Sequence, residues 1–119
     1  MACTAAGRRP EQHGSCPRSP AVPWFVKQEI FLRPYGEMKP HLEAHRLWVE
    51  QLRKEGVVIS SGYLVDGQGQ PGGGGLLLLE AASYAEAETL VLCDPMVISG
   101  GVDWWLQQWR PAVGELRVR

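Results

Sequence analysis

The chemistry open to this chain centres on a histidine set on the apolar side of a helix. From about Met38 to Glu55 the apolar residues recur at helical spacing, with Met38, Leu42, Val49 and Leu52 on one stripe. His45 stands three residues after Leu42 and four before Val49, so it belongs to that stripe, while Glu43, Arg46, Glu50, Arg53 and Lys54 point mainly elsewhere. A helix laid on a sheet would carry His45 inward, where an imidazole needs hydrogen-bond partners. A carboxylate beside it would fix the ring tautomer and stabilise the imidazolium, which is the wiring of a general acid or base. Asp94 is the candidate carboxylate. Its place before Pro95 is explained equally well by helix termination, and the functional reading requires it to reach His45 from a neighbouring helix.

Other chemistry-bearing groups are weaker. Trp48 lies one turn beyond His45 and could wall a pocket, and Ser61, Gly62 and Tyr63 sit in the strand that follows. Backbone amides near Ser61–Gly62 could stabilise developing charge. Arg33 and Tyr63 are candidates to meet an anionic substrate. His41, His45 and Glu37 have helical spacing for a metal, but no third strong ligand accompanies them, and Cys3, His13 and Cys16 lack a fourth. The expectation is no metal and no cofactor. Gly67-x-Gly69-x-x-Gly72 matches a dinucleotide fingerprint in letters only, since a strand rather than a helix follows it.

The elements that must position these groups can be read along the chain. Residues 1–22 are rich in Pro, Gly, Ser, Ala and Arg without periodicity, and read as a disordered extension. Residues 23–119 read as one domain. Trp24–Leu32 is a first strand with Ile30 and Leu32 on one face, and Arg33-Pro34-Tyr35-Gly36 breaks it. The helix follows with Pro40 in its first turn and Gly56 past its end. Val57–Val65 is a second strand, Asp66–Gly75 a connector, and Leu76–Glu80 a short third strand apolar on both faces, hence central or interfacial. Ser83 with Glu86 makes a capping box for a second helix reaching about Cys93. A loop through Ser99–Gly101 leads to a fourth strand, Trp104–Ala112, with Trp105 and Trp109 on one face; Gly114–Arg119 could add an edge strand. The order β-α-β-β-α-β predicts an α+β, ferredoxin-like antiparallel sheet with two helices on one face. Its other face needs a cover, most simply a second copy, and so a homodimer.

Totals exclude several classes. With 12 Lys+Arg against 13 Asp+Glu the formal charge is −1, which gives no electrostatic reason to bind nucleic acid or anionic membranes. No apolar run is long enough to span a bilayer. Three cysteines, an odd count, argue against a disulfide framework. Neither a secretory nor a twin-arginine leader is visible, so a cytoplasmic location is expected.

Taken together, His45 followed by LWVEQLRKEG to Gly56, Ser61-Gly62, the Gly-rich connector, Ala85-Glu86-Ala87, and Asp94-Pro95 with Gly100 or Gly101 resemble the YCII-related family over roughly Trp24 to Gly114. The resemblance implies a dimeric α+β barrel related to muconolactone isomerase. It implies a His–Asp pair at His45 and Asp94, and small cyclic or aromatic substrates, since one family relative dehydrochlorinates a chlorinated hydroxyhydroquinone. Tyr63 departs from the proline often found after the strand-two glycine, and the N-terminal extension and the run of four glycines depart as well. The expected function is proton transfer, isomerisation or elimination, on such a compound. The alternative is a non-catalytic metabolite-binding or accessory dimer.

Overall fold

The structure, a computed structural model, describes residues 22–114. The element order is β1 (Trp24–Phe31), α1 (Tyr35–Lys54), β2 (Ile59–Val65), β3 (Pro71–Glu80), α2 (Tyr84–Val91), α3 (Pro95–Ile98) and β4 (Val102–Trp109). The four strands form one sheet in the order β2-β3-β1-β4, with every neighbouring pair antiparallel. This is the expected ferredoxin-like α+β fold, with β3 inserted between the two strands that α1 connects. The extension, apart from Val22, and the possible edge strand after Gly114 lie outside the described residues.

Strand registers decide which side chains meet the helices. Phe25, Lys27 and Glu29 alternate inward along β1, and each is buried. Cross-strand partners share a face, so Ser61, Leu77, Lys27 and Leu106 form one inward row, and Tyr63, Gly75, Glu29 and Trp104 the next. The main core packs Val49 and Leu52 of α1, with Ala87, Leu90 and Val91 of α2, onto Phe25, Ile59, Leu77, Leu79 and Leu106. A second cluster joins Met38, Met96 and Val102 near the other end. Ile30 and Leu32 do share the opposite side, but as exposed residues, because the inward set is the odd-numbered one.

Several boundaries differ from the sequence reading; β2 begins at Ile59 rather than Val57, and β4 runs Val102–Trp109 rather than Trp104–Ala112. The helix α1 begins a turn earlier, so Pro40 stands inside it and cannot donate to the Gly36 carbonyl. The last part of the expected connector, Pro71–Gly75, belongs to β3. Glycine there is the absence of side chains rather than of pairing, and Gly73 adopts φ +80° where the β2–β3 register shifts. The second helix stops at Val91, and Pro95–Ile98 forms a separate short helix where a loop was expected. Ser83 caps α2 by accepting from the Glu86 amide at 3.1 Å, and Glu86 returns a bond to the Ala82 amide. Cys3 and Cys16 lie outside the described residues.

A Cβ at Gly74 would stand 2.6 Å from the Glu29 carbonyl oxygen, a backbone atom that cannot swing aside. Gly74→Ala should therefore destabilise the sheet by roughly 1–3 kcal/mol. Gly62→Ala, where nothing lies within 4 Å of the added atom, is the control. Equal thermal midpoints for the two variants would show that β1 and β3 are not this close.

Candidate functional site

Local chain geometry sets Asp94 in place first. After α2, the amides of Cys93 and Asp94 bond back to the Leu90 and Val91 carbonyls, and Asp94 then turns extended to cap α3. Its Oδ1 accepts from the Met96 amide at 2.9 Å, and Pro95 occupies the first helical position, which has no amide to satisfy. Helix termination is thus real here, and it aims the carboxylate into the interior between α1 and the sheet.

Asp94 is 0 % exposed. The His45 Nδ1–H donates to its Oδ1 at 2.8 Å, and Lys27 Nζ donates to its Oδ2 at 3.0 Å. Burial pushes the Asp94 carboxyl up. The hydrogen bond from His45, the Lys27 charge, the imidazole and the Met96 amide together outweigh burial and hold it below the usual carboxylate range. Lys27, 1 % exposed, also pairs with Glu29, its neighbour two residues along the same strand face.

The other ring nitrogen faces β2. Because a carboxylate can only accept, Nδ1 carries the proton and the neutral ring's Nε2 accepts from the Ser61 hydroxyl at 2.7 Å. Carboxylate, imidazole and hydroxyl therefore lie in one hydrogen-bonded line, the order used to move protons in acyl-transfer sites. Trp48 lies beside the imidazole, its ring centroid 5.7 Å from that of His45 and tilted by 40°, and does not line the cavity.

A cavity of about 170 Å³ opens beside this line, bordered by Lys27, Glu29, His45, Ser61, Tyr63 and Gly75, with Phe31 and Leu42 as its apolar wall. The space exists because the inward row Tyr63–Gly75–Glu29 has no side chain at its centre. Of the six residues singled out from sequence, His45, Asp94 and Ser61 are joined by hydrogen bonds, Gly62 and Tyr63 border the cavity, and Trp48 only backs the imidazole. His41 takes no part, and among the described residues no group of three His, Cys, Asp or Glu is placed to hold a metal.

Lys27 and Glu29 were missed. Their signal was in the sequence: opposite charges two apart share a strand face, here the face of Phe25 in a strand later found to be central. Without the register, that face could not be told from the solvent side.

The YCII-related domain profile matches residues 28–104. The chain belongs to this family. That span holds every residue of the hydrogen-bonded line together with Glu29, and leaves out Lys27 by one position. No curated protein matches it by sequence. Among solved structures it is similar to the 5-chloro-2-hydroxyhydroquinone dehydrochlorinase of Burkholderia phenoliruptrix AC1100 in complex with 2,5-dihydroxybenzoquinone. The TM-score is 0.55 at 20% identity, over 74% of this chain and 95% of the other. It is also similar to an antibiotic biosynthesis monooxygenase, with a TM-score of 0.51 at 18% identity, over 76% and 99%. At these identities the likeness is one of fold. No helix among the described residues is long and apolar enough to cross a membrane.

Two consequences for stability follow. Lys27→Met leaves buried Glu29 without its cation and takes one donor from Asp94, and should cost roughly 3–5 kcal/mol, whereas Lys27→Met with Glu29→Gln should recover part of that loss. Additive losses in denaturant melts would mean the two groups do not share one network. The Asp94 pKa is lower folded than unfolded, so its stabilisation is full above the unfolded value near pH 3.8 and is lost as pH falls through the depressed folded value. Melting curves on the acid side should fall steeply for the wild type and be flatter for Asp94→Asn.

Proposed function

We propose that this chain is a small acid–base enzyme that moves a proton on a small cyclic or aromatic compound, by isomerisation or elimination. The observation that carries the reading is the His45 imidazole, held at 2.8 Å by a fully buried carboxylate and bordering a cavity with its other nitrogen directed at Ser61. In the neutral tautomer Nε2 is the free base. Lys27, Glu29 and Asp94 together carry a formal charge of −1, so a proton arriving on His45 neutralises the buried group instead of adding charge to it. The cavity volume suits a single ring, since an engineered apolar cavity of about 150 Å³ holds benzene.

In this reading, a substrate hydroxyl or acidic C–H approaches Nε2 directly or through the Ser61 oxygen. Nε2 takes the proton. In elimination the carbon–leaving-group bond breaks as the new double bond forms, and the leaving group departs with the electron pair; in isomerisation the proton returns to a different atom. The dehydrochlorinase named above has the same fold, and the 2,5-dihydroxybenzoquinone in its structure is a single-ring compound of the class proposed here. Asp94 orients the ring and Lys27 keeps Asp94 charged and fixed.

A positioned base supplies about 10²–10⁴-fold in rate. His45→Ala should lose that factor on whichever lactone or halogenated hydroquinone the wild type converts, measured below the variant's own melting midpoint, which should itself drop because buried Asp94 loses a donor. Equal rates would remove His45 from the mechanism. Ligand retention by His45→Gln, with no turnover by the wild type on any member of that panel, would instead favour the binding-module alternative.

The same reading includes a homodimer. The sheet face away from the helices presents Trp24, Val26, Leu76, Leu78, Trp105 and Trp109, with Trp105 43 % exposed. An apolar sheet face of this kind is stable when covered. The wild type should elute at twice the chain mass in light-scattering chromatography, and Trp105→Lys at the chain mass; a monomeric wild type at micromolar concentration would overturn the dimer. A cytoplasmic location belongs to the reading too.

A further inference from the structure

Outside the inner cavity lies a larger one of about 790 Å³, and the two share Phe31, Leu42, Tyr63 and Gly74 as lining. Its charge is of the opposite kind. Arg33, Lys39 and Arg46 line it, against Glu43 alone. Arg46 is already answered by Glu43 and, at 2.7 Å, by Glu50, which together hold its guanidinium firmly charged. Arg33 and Lys39 have no ion pair among the described residues. The tyrosines 35 and 63 stand beside them on the same lining and are exposed, so their hydroxyls add donors.

Inner and outer chambers are therefore polarised. The inner one holds a buried cluster of formal charge −1 and an accepting nitrogen, which disfavours an anionic substituent next to His45. The outer one offers two unpaired cations at the mouth, where a cleft concentrates the field. A ligand with a neutral hydroxylated ring and an acidic arm fits this polarity in one orientation only. Building on the proposed function above, we infer that the substrate is an aromatic or cyclic acid. Its ring lies against His45 and Ser61, and its carboxylate or equivalent oxyanion is received by Arg33 and Lys39. Arginine's planar fork matches a carboxylate in two bonds, and lysine adds a point charge.

The inference is tested by calorimetry on the full chain with hydroquinone, 2,5-dihydroxybenzoate and 2,5-dihydroxybenzenesulfonate. Two exposed ion pairs correspond to about tenfold in affinity at low ionic strength. The acids should therefore bind about tenfold tighter than hydroquinone at 20 mM salt and lose most of that advantage at 500 mM. The affinity ratio of acid to hydroquinone should fall to near one in the Arg33→Gln/Lys39→Gln variant. The tighter of the two acids identifies the oxyanion the mouth prefers. If hydroquinone and the acids bind alike, or the ratio survives in the double variant, the anion-receiving mouth is wrong while the single-ring site stands. If none of the three binds, the single-ring reading of the cavity falls and this inference falls with it.

Discussion

A carboxylate with no solvent exposure needs donors for both oxygens, and most of this structure's specific geometry follows from how Asp94 obtains them. Taking an ionised carboxyl out of water costs several kcal/mol unless it is paired and hydrogen-bonded. Here the donors come from three separate parts of the chain: the Met96 amide of α3, Lys27 of β1 and His45 of α1. Each donor fixes one relation. The amide fixes the turn between α2 and α3, the lysine fixes that turn over the sheet centre, and the imidazole fixes the roll of α1. The proposed proton-transfer site and the structural clamp are the same atoms.

The clamp explains why the imidazole has a defined tautomer and an outward-facing acceptor. Asp94 holds the proton on Nδ1, so Nε2 is left to Ser61 and to the cavity. The cavity in turn depends on a missing side chain. Gly75 sits between Tyr63 and Glu29 in a row where any larger residue would fill the space, and a Cβ there would already stand 3.1 Å from the Gly62 carbonyl. The same glycine-rich stretch lets β3 approach β1 closely at Gly74. What looks like loose connector in the sequence is the part of a central strand that leaves the cavity open.

The elements were legible because their signals are local. The apolar stripe of α1, the capping box of α2, the Asp94-Pro95 stop and the paired faces of Trp105 and Trp109 each need only a few neighbouring residues to be read. The order of those elements then restricts the topology to the split βαβ plan. Lys27 and Glu29 escaped for the opposite reason. Charges in a strand read as a solvent face until it is known that the strand is central and that its odd-numbered side meets the helices. The extent of β3 escaped because glycine carries no periodicity, and pairing with β1 supplies the strand conformation instead.

Sequence alone determined the fold class, the family and the identity of His45 and Asp94 as the pair worth watching. Periodicity, capping and element order are properties of short stretches, and they survive without coordinates. Only the tertiary structure decided that Ser61 completes the hydrogen-bonded line and that Lys27 and Glu29 balance the buried charge. It alone showed that a cavity holding a buried cluster of formal charge −1 shares its lining with one bordered by arginines and a lysine. Those are facts of register and packing, in which residues sixteen to sixty-seven positions apart come within about 3 Å, and no local pattern in the chain encodes such distances.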